Sequence, residues 1–559
     1  MYPNTKINFS VLWLVVSPYQ RESRLVVTTQ GPVRGYKDSD EDIFIFYNIQ
    51  YAKSPTVLHK FKAPLPAPSW TEPLEAIDQK VVCPQYNAPA NLIPPGRNMQ
   101  EDCLIANIYV PNTNSKNLSV VVYIHPGGFI IGYGDMIRPK TMVASKKIVA
   151  VNFNYRLATQ GFICLGTKDV PGNAGMKDQI ALLRWVKQNI ANFGGNPEDV
   201  TIDGYSAGAS SVGLLMISKM ARGLFNKIVS ESGNILSPFS IQINPIESAK
   251  EYARMLKFDN VDDIHALESF YKNASNQLLL SSDVGNREDF TFLFAPCIER
   301  DNGEERFLDE DPITFLKSGN FEKFPVLTGF TNMEGLMRID IFDEWKIQMN
   351  NNFSNFLPAD LQFYNKREKD TVTRRIKEFY FGKEPVNNKN VLKYVDFLSD
   401  VYFTCPTLRS TKLLLDAGNT DIYFYEYSYV DANTPVVPYT DVRGAEHCKQ
   451  LDAINNELND YDDFNLSDEL KDWKSLMRES WLNFIVNGKP ESCRLPEWKP
   501  VTAKSITYMS LNQTPVLKHS LLEDRCSFWE EIYEKYYQNP IPPTFFMVLN
   551  ERNKISEPI

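Results

Sequence analysis

Two hydrophobic periodicities alternate through the middle of the chain. Residues 119–125 and 147–153 are continuous β-branched and apolar runs of strand length, the pattern of parallel strands buried on both faces. Between Asn173 and Phe193 the apolar residues Ile180, Leu183, Trp185, Val186 and Ile190 recur at near-helical spacing, and Gly194, Gly195, Asn196 and Pro197 stop that helix. Residues 200–203 return to the strand pattern and residues 207–220 to a helical composition. Further strands are expected at 324–329 and 421–427, and amphipathic helices at 468–486 and 527–537. Segments 239–320 and 342–400 read as mixed helical insertions. Strand and helix in alternation predict an α/β fold, a doubly wound and mostly parallel sheet with its active-site loops at the strand carboxyl ends.

Composition narrows the classes of function. The chain has 559 residues, 43% of them hydrophobic and 23% charged, which is enough apolar material for a large core. Its 59 basic and 69 acidic side chains leave a net charge of −10, a field that repels phosphate backbones and anionic lipid. No nucleic-acid partner is expected. No stretch reaches the ~20 apolar residues of a membrane-spanning helix. At the start, Lys6 precedes an apolar run at residues 11–16 and a polar stretch through Arg24, which reads as a secretory signal peptide over residues 1–20, with a buried first strand as the alternative. Residues 21–538 then form the working domain and 539–559 a Pro-led tail.

Eight cysteines and five histidines show neither a Cys-x-x-Cys pair nor a zinc-binding spacing, so no metal site is expected. Asn117, Asn273, Asn352, Asn465 and Asn512 stand in Asn-x-Ser/Thr sequons, consistent with a glycosylated, secreted protein.

The chemistry concentrates at Gly204, Tyr205, Ser206, Ala207 and Gly208, a Gly-x-Ser-x-Gly motif between an expected strand and an expected helix. Glycines at those places let the backbone fold sharply, so that a serine hydroxyl stands above the sheet and the following amide points into the same space. A serine needs a base, and the oxyanion it creates needs donors. Upstream, a strand runs into His125, Pro126, Gly127, Gly128 and Phe129, where paired glycines can turn two backbone amides toward one point.

These motifs, with Glu101 to Leu104, Asn154 to Leu157, Pro171 to Gln179, Phe193 to Pro197 and Ser230 to Gly233, resemble the type-B carboxylesterase/cholinesterase family of α/β-hydrolases, most closely its insect carboxylesterases, over roughly residues 25–537. The resemblance implies an α/β-hydrolase fold with helical insertions over the active site. It implies a cofactor-free serine ester hydrolase in which Ser206 is the nucleophile, His447 the base and Glu334 the carboxylate that orients it. Amides of Gly127, Gly128 and Ala207 would form the oxyanion hole. His125 sits beside the glycines as a rival base, but it matches a family residue that borders the hole without transferring the proton. Pro126 replaces the first glycine of the family motif and has no amide hydrogen.

The resemblance further implies disulfides Cys83–Cys103 and Cys405–Cys526. It leaves Cys164, Cys297, Cys448 and Cys493 as free thiols, Cys448 being placed next to the candidate base. Phe239, Phe290 and Phe292 match the aromatic acyl pocket, which favours short acyl groups joined to an apolar alcohol. Tyr205 precedes the serine where cholinesterases carry Glu, and no Trp lies between Cys83 and Cys103, so choline esters are poor candidates. Juvenile-hormone esterases typically carry Gln at that position. Small-molecule esters are the expected partners, dietary, xenobiotic, pheromone-like or hormonal. Oligomeric state and the physiological ester are open. The alternative function is a non-catalytic relative that binds proteins or sequesters ligands.

Overall fold

One 13-stranded sheet organises the molecule. The computed structural model describes residues 21–544 except 87–92, 283, 284, 286, 456–465 and 504. In chain order the strands are β1 (Ser23–Val27), β2 (Pro32–Lys37), β3 (Ile43–Gln50), β4 (Leu74–Glu75), β5 (Ile105–Pro111), β6 (Leu118–Ile124), β7 (Ile148–Phe153), β8 (Gly195–Tyr205), β9 (Lys227–Glu231), β10 (Val326–Thr331), β11 (Ile422–Tyr427), β12 (Tyr508–Leu511) and β13 (Val516–Lys518). Their order across the sheet is β1-β2-β3-β5-β7-β6-β8-β9-β10-β11-β12-β13, with β4 paired to β2. From β7 to β12 every pairing is parallel, and antiparallel pairs flank that block on both sides.

The parallel strands are buried along almost their whole length, as their continuous apolar runs require, because helices cover both faces. Helices α1 (Ala174–Asn189) and α2 (Ala207–Ile217) cover one face, and α5 (Asp468–Asn487) packs its Trp473, Met477 and Trp481 on the other. Between them in sequence lie α3 (Val391–Ser399) and α4 (Cys405–Asp416), joined by a π-helical turn at Asp400–Thr404, and α6 (Glu523–Tyr536) follows near the end. The expected helix at 207–220 stops at Ile217 and that at 527–537 starts four residues earlier, at Glu523. The 239–320 and 342–400 segments are helical with irregular connections, and residues 290–297 run without ladder pairing.

Three disulfides cross-link the described residues: Cys83–Cys103, Cys164–Cys297 and Cys405–Cys526. The second corrects the expectation of free thiols at Cys164 and Cys297. They are 133 residues apart in sequence, and only the folding of the 290–297 segment beside the loop after the short helix Ala158–Phe162 brings their Cα atoms to 6.7 Å. Cys448 and Cys493 are free, the first half-buried and the second exposed. Asn117, Asn273 and Asn352 are exposed and Asn512 is half-buried, while Asn465, the apolar run of residues 11–16 and the tail beyond 544 lie outside the described residues.

Candidate active site

Ser206 sits at the hinge between β8 and α2, with φ 55° and ψ −120°. A non-glycine residue held there costs on the order of 1–3 kcal/mol, and it persists only where the surroundings fix it. The fixing contacts are visible. The Ser206 amide donates to the Glu231 carbonyl at 2.9 Å, and the Ser206 carbonyl accepts from the Ser210 amide at 3.0 Å. Helix α2 starts so close to the end of β6 that a Cβ on Gly208 would fall 2.1 Å from the Ile124 carbonyl oxygen. This contact makes glycine obligatory at that position and sets the serine beside the loop that leaves β6.

That loop carries His125 to Phe129. Gly127, Gly128 and Phe129 all have positive φ, at 119°, 63° and 62°, so the chain coils back on itself, and the Gly127 carbonyl accepts from the Ile130 and Ile131 amides. Among the described residues, the amides of Gly127, Gly128 and Ala207 donate to no protein acceptor. His125 is fully buried and stacked on Tyr155 at 4.3 Å. Its Nδ1 lies 2.8 Å from the Pro126 carbonyl, an acceptor, so Nδ1 carries the proton. Burial lowers its pKa to about 4, which keeps the ring neutral in neutral solution.

Glu334 and His447 arrive from the next strands along. Glu334 follows β10 and His447 lies in the loop after β11, two and three places from β8 in the sheet. The buried Glu334 Oε2 is 2.5 Å from His447 Nδ1, and Oε1 accepts from the Thr331 amide at 2.7 Å. A carboxylate only accepts, so Nδ1 bears the hydrogen and Nε2 is left as the basic nitrogen. Nε2 faces Cys448 Sγ at 3.5 Å, and among the described residues no hydrogen bond joins it to the Ser206 hydroxyl. Burial, then the charges of Glu334 and Glu231, push the Cys448 thiol well above its ordinary pKa. Its reactive thiolate form is therefore disfavoured.

An aromatic wall links the two ends of this site. The Phe292 ring lies where a Cβ on Gly128 would come within 3.0 Å of it. Phe239 packs 5.3 Å from Phe292 and 5.7 Å from Phe403, and Phe403 lies over the His447 imidazole at 4.4 Å. The structure thus brings Phe239 and Phe292 together and sends Phe290 into the core against Phe397 and Tyr402. The sequence reading missed Phe403. Its only signal is a place two residues before Cys405, on the π-helical turn, a backbone irregularity that recurs at functional sites.

The sequence pattern of the carboxylesterase family matches residues 22–529. Esterase FE4 of Myzus persicae is 30% identical over 488 residues, 84% of each chain. The carboxylic ester hydrolase of Bombus ignitus is 28% identical over 535 residues, covering 91% of this chain and 94% of its own. The crystal structure of juvenile hormone esterase from Manduca sexta, with OTFP covalently attached, superposes with a TM-score of 0.82 at 28% identity, over 92% of this chain and all of that one. With an α/β-hydrolase sheet and this match along nearly its whole length, the chain belongs to the carboxylesterase family and is a carboxylic-ester hydrolase.

Proposed function

We propose that this carboxylesterase works through Ser206, His447 and Glu334 by way of an acyl-enzyme. The observation that carries the reading is the 2.5 Å contact between Glu334 and His447 on loops that leave the sheet at the same edge as the Ser206 hinge. As Ser206 Oγ attacks the ester carbonyl carbon, Nε2 of His447 takes the hydroxyl proton. The carbonyl electrons move onto oxygen, and the uncommitted amides of Gly127, Gly128 and Ala207 are the donors that receive the oxyanion. Collapse expels the alkoxide, which takes the proton from the imidazolium and leaves as the alcohol. Water, deprotonated by the same nitrogen, then attacks the acyl-serine, and collapse of that intermediate breaks the bond to Ser206 Oγ, which takes the proton back from the imidazolium as the acid leaves. Glu334 holds the tautomer and stabilises the imidazolium throughout. The Ser206–His447 hydrogen bond closes when an ester fills the site, since such contacts commonly tighten in the substrate complex.

The free glycine amides support this assignment of the oxyanion hole, and the neutral, fully buried His125 fits a wall of that hole better than a base. Phe239, Phe292 and Phe403 make the acyl side apolar and narrow, which suits esters of short acids with apolar alcohols. Export from the cell accords with three disulfides, which persist in oxidising surroundings, and no helix among the described residues is long and apolar enough to cross a membrane.

The test is p-nitrophenyl acetate hydrolysis by the wild type and by Ser206→Ala. Wild type shows a burst of p-nitrophenol and loses activity to one equivalent of an organophosphate bound at Ser206. The variant loses about 10⁴-fold or more in kcat. Full turnover by Ser206→Ala would refute the assignment.

A further inference from the structure

The Cys164–Cys297 bridge joins two segments that both pack against the loop of Gly127 and Gly128. On one side, the helix Ala158–Phe162 supports the oxyanion loop: the Ala158 amide donates to the Phe129 carbonyl at 2.8 Å, and the Phe162 ring packs on Phe129 at 5.0 Å. Cys164 is the second residue after that helix. On the other side, Cys297 ends the irregular segment that carries Phe292, the ring pressed against Gly128. Both cysteines are fully buried.

The same two segments are tied a second time by Gln242. Its Nε2 donates to the Phe162 carbonyl at 2.9 Å and to the Ala295 carbonyl at 2.5 Å, and its own amide donates to the Pro296 carbonyl at 2.8 Å. Asn173 adds a third tie, accepting from the Cys297 amide at 2.8 Å and donating to the Cys297 carbonyl at 2.7 Å. The 290–297 segment has no strand ladder, so these side chains and the bridge replace it as the anchors of the acyl wall.

We propose that the Cys164–Cys297 disulfide is a specificity clamp: it fixes Phe292 against the oxyanion loop and so limits the length of acyl chain the enzyme accepts. The inference rests on the site proposed above. The bridge touches no reacting atom, and its effect on the reaction passes through the distance it allows between Phe292 and Gly128. Cutting it lets the acyl wall move outward while leaving Ser206, His447 and Glu334 on their strands, so the gain falls on long acyl groups. A methylene that a pocket accepts or rejects is worth about 10- to 200-fold in discrimination, which makes the effect measurable.

The experiment compares wild type with the double variant Cys164→Ala, Cys297→Ala on p-nitrophenyl acetate, butyrate, hexanoate and octanoate, recording kcat and KM separately. The acetate-to-octanoate ratio of kcat/KM is expected to fall about tenfold or more in the variant, chiefly through a lower KM for octanoate. An unchanged ratio in a variant whose Ser206 still takes up one equivalent of organophosphate overturns the clamp. Should the double variant fail to fold, Phe292→Ala removes the ring that the bridge holds. It is expected to lower the ratio in the same direction by about tenfold, and an unchanged ratio there means that this ring sets no length limit and overturns the proposal too. Wild type that hydrolyses none of the four esters refutes the catalytic assignment itself, and the clamp falls with it.

Discussion

Beneath Ser206, on the face covered by α5, two carboxyl groups meet with unequal support. Glu231 accepts from the Tyr425 hydroxyl at 2.5 Å and from Trp481 Nε1 at 2.9 Å. Asp203 is fully buried, and neither of its oxygens has a hydrogen-bond partner among the described residues. Strand register places Tyr123 opposite Asp203 on one side and Val229 on the other, while Tyr205 faces Glu231 one row closer to the elbow. Burial, and after it the Glu231 charge, raises Asp203 well above the ordinary carboxyl range, and burial raises Glu231 to about 7. The folded protein therefore holds a proton on Asp203 that the unfolded chain releases near its ordinary value of about 4. The stability so contributed is complete below that value and is lost as pH rises through the folded one. Asp203→Asn removes the titration and keeps the shape. Melting midpoints taken between about pH 5 and pH 9 should decline more steeply with pH in the wild type than in the variant. Two parallel curves would mean that Asp203 is ionised in the folded state and that its burial is answered some other way.

At the scale of elements, the π-helical turn between α3 and α4 has the most leverage for its size. It inserts an extra residue's width into an otherwise continuous helical run, and this sets Tyr402 against Phe290 and Phe403 against Phe239 and His447. Phe403→Leu keeps an apolar side chain and loses the planar face over the imidazole. The expected result is a kcat on p-nitrophenyl acetate lowered by about tenfold, with KM nearly unchanged, because a misaligned base affects the transition state more than binding. A variant with wild-type kcat would show that Glu334 alone orients the ring.

The same elements show what a sequence can reveal. Strands β6 to β8, β10 and β11 and helices α1 and α2 were legible because burial on both faces writes itself into one dimension as unbroken apolar runs and 3.6-residue spacing, whereas β9 was not read. Strands β1, β2 and β4 escaped because they are short and carry few fully buried positions, so no run marks them. The Ser206 elbow was legible because its glycines are its neighbours. The pairing of Glu334 with His447, 113 residues apart, was expected through resemblance alone, and Cys164–Cys297 was missed, since nothing local records a contact across 133 residues.

For the whole molecule, the proposed catalytic side chains hang from one edge of the sheet, while the aromatic wall facing them belongs to insertions that the sheet does not reach. Those insertions need anchors of their own. Cys405–Cys526 ties the start of α4 to α6 and closes a loop of 121 residues. Arg525, beside that bridge on α6, grips the same junction: Nε donates to Asp400 Oδ2 at 2.6 Å, Nη2 to Asp400 Oδ1 at 2.7 Å, and Nη1 to Asp396 Oδ1 at 3.1 Å. The covalent and ionic ties differ in when they act. The disulfide also restrains the unfolded chain, whereas the ion pairs exist only in the folded one and hold the π-helical turn in place there. Replacing both cysteines by alanine should lower the stability to urea by about 4–5 kcal/mol on the chain-entropy account. The kcat of the folded variant should stay within about threefold of wild type, because Arg525 still positions the turn that carries Phe403. Urea midpoints from tryptophan fluorescence, with residual esterase activity read on the same samples, separate the two quantities. If activity falls in step with the loss of the bridge while the midpoint holds, the disulfide shapes the site directly, and bridge and ion pairs do not divide the labour in this way.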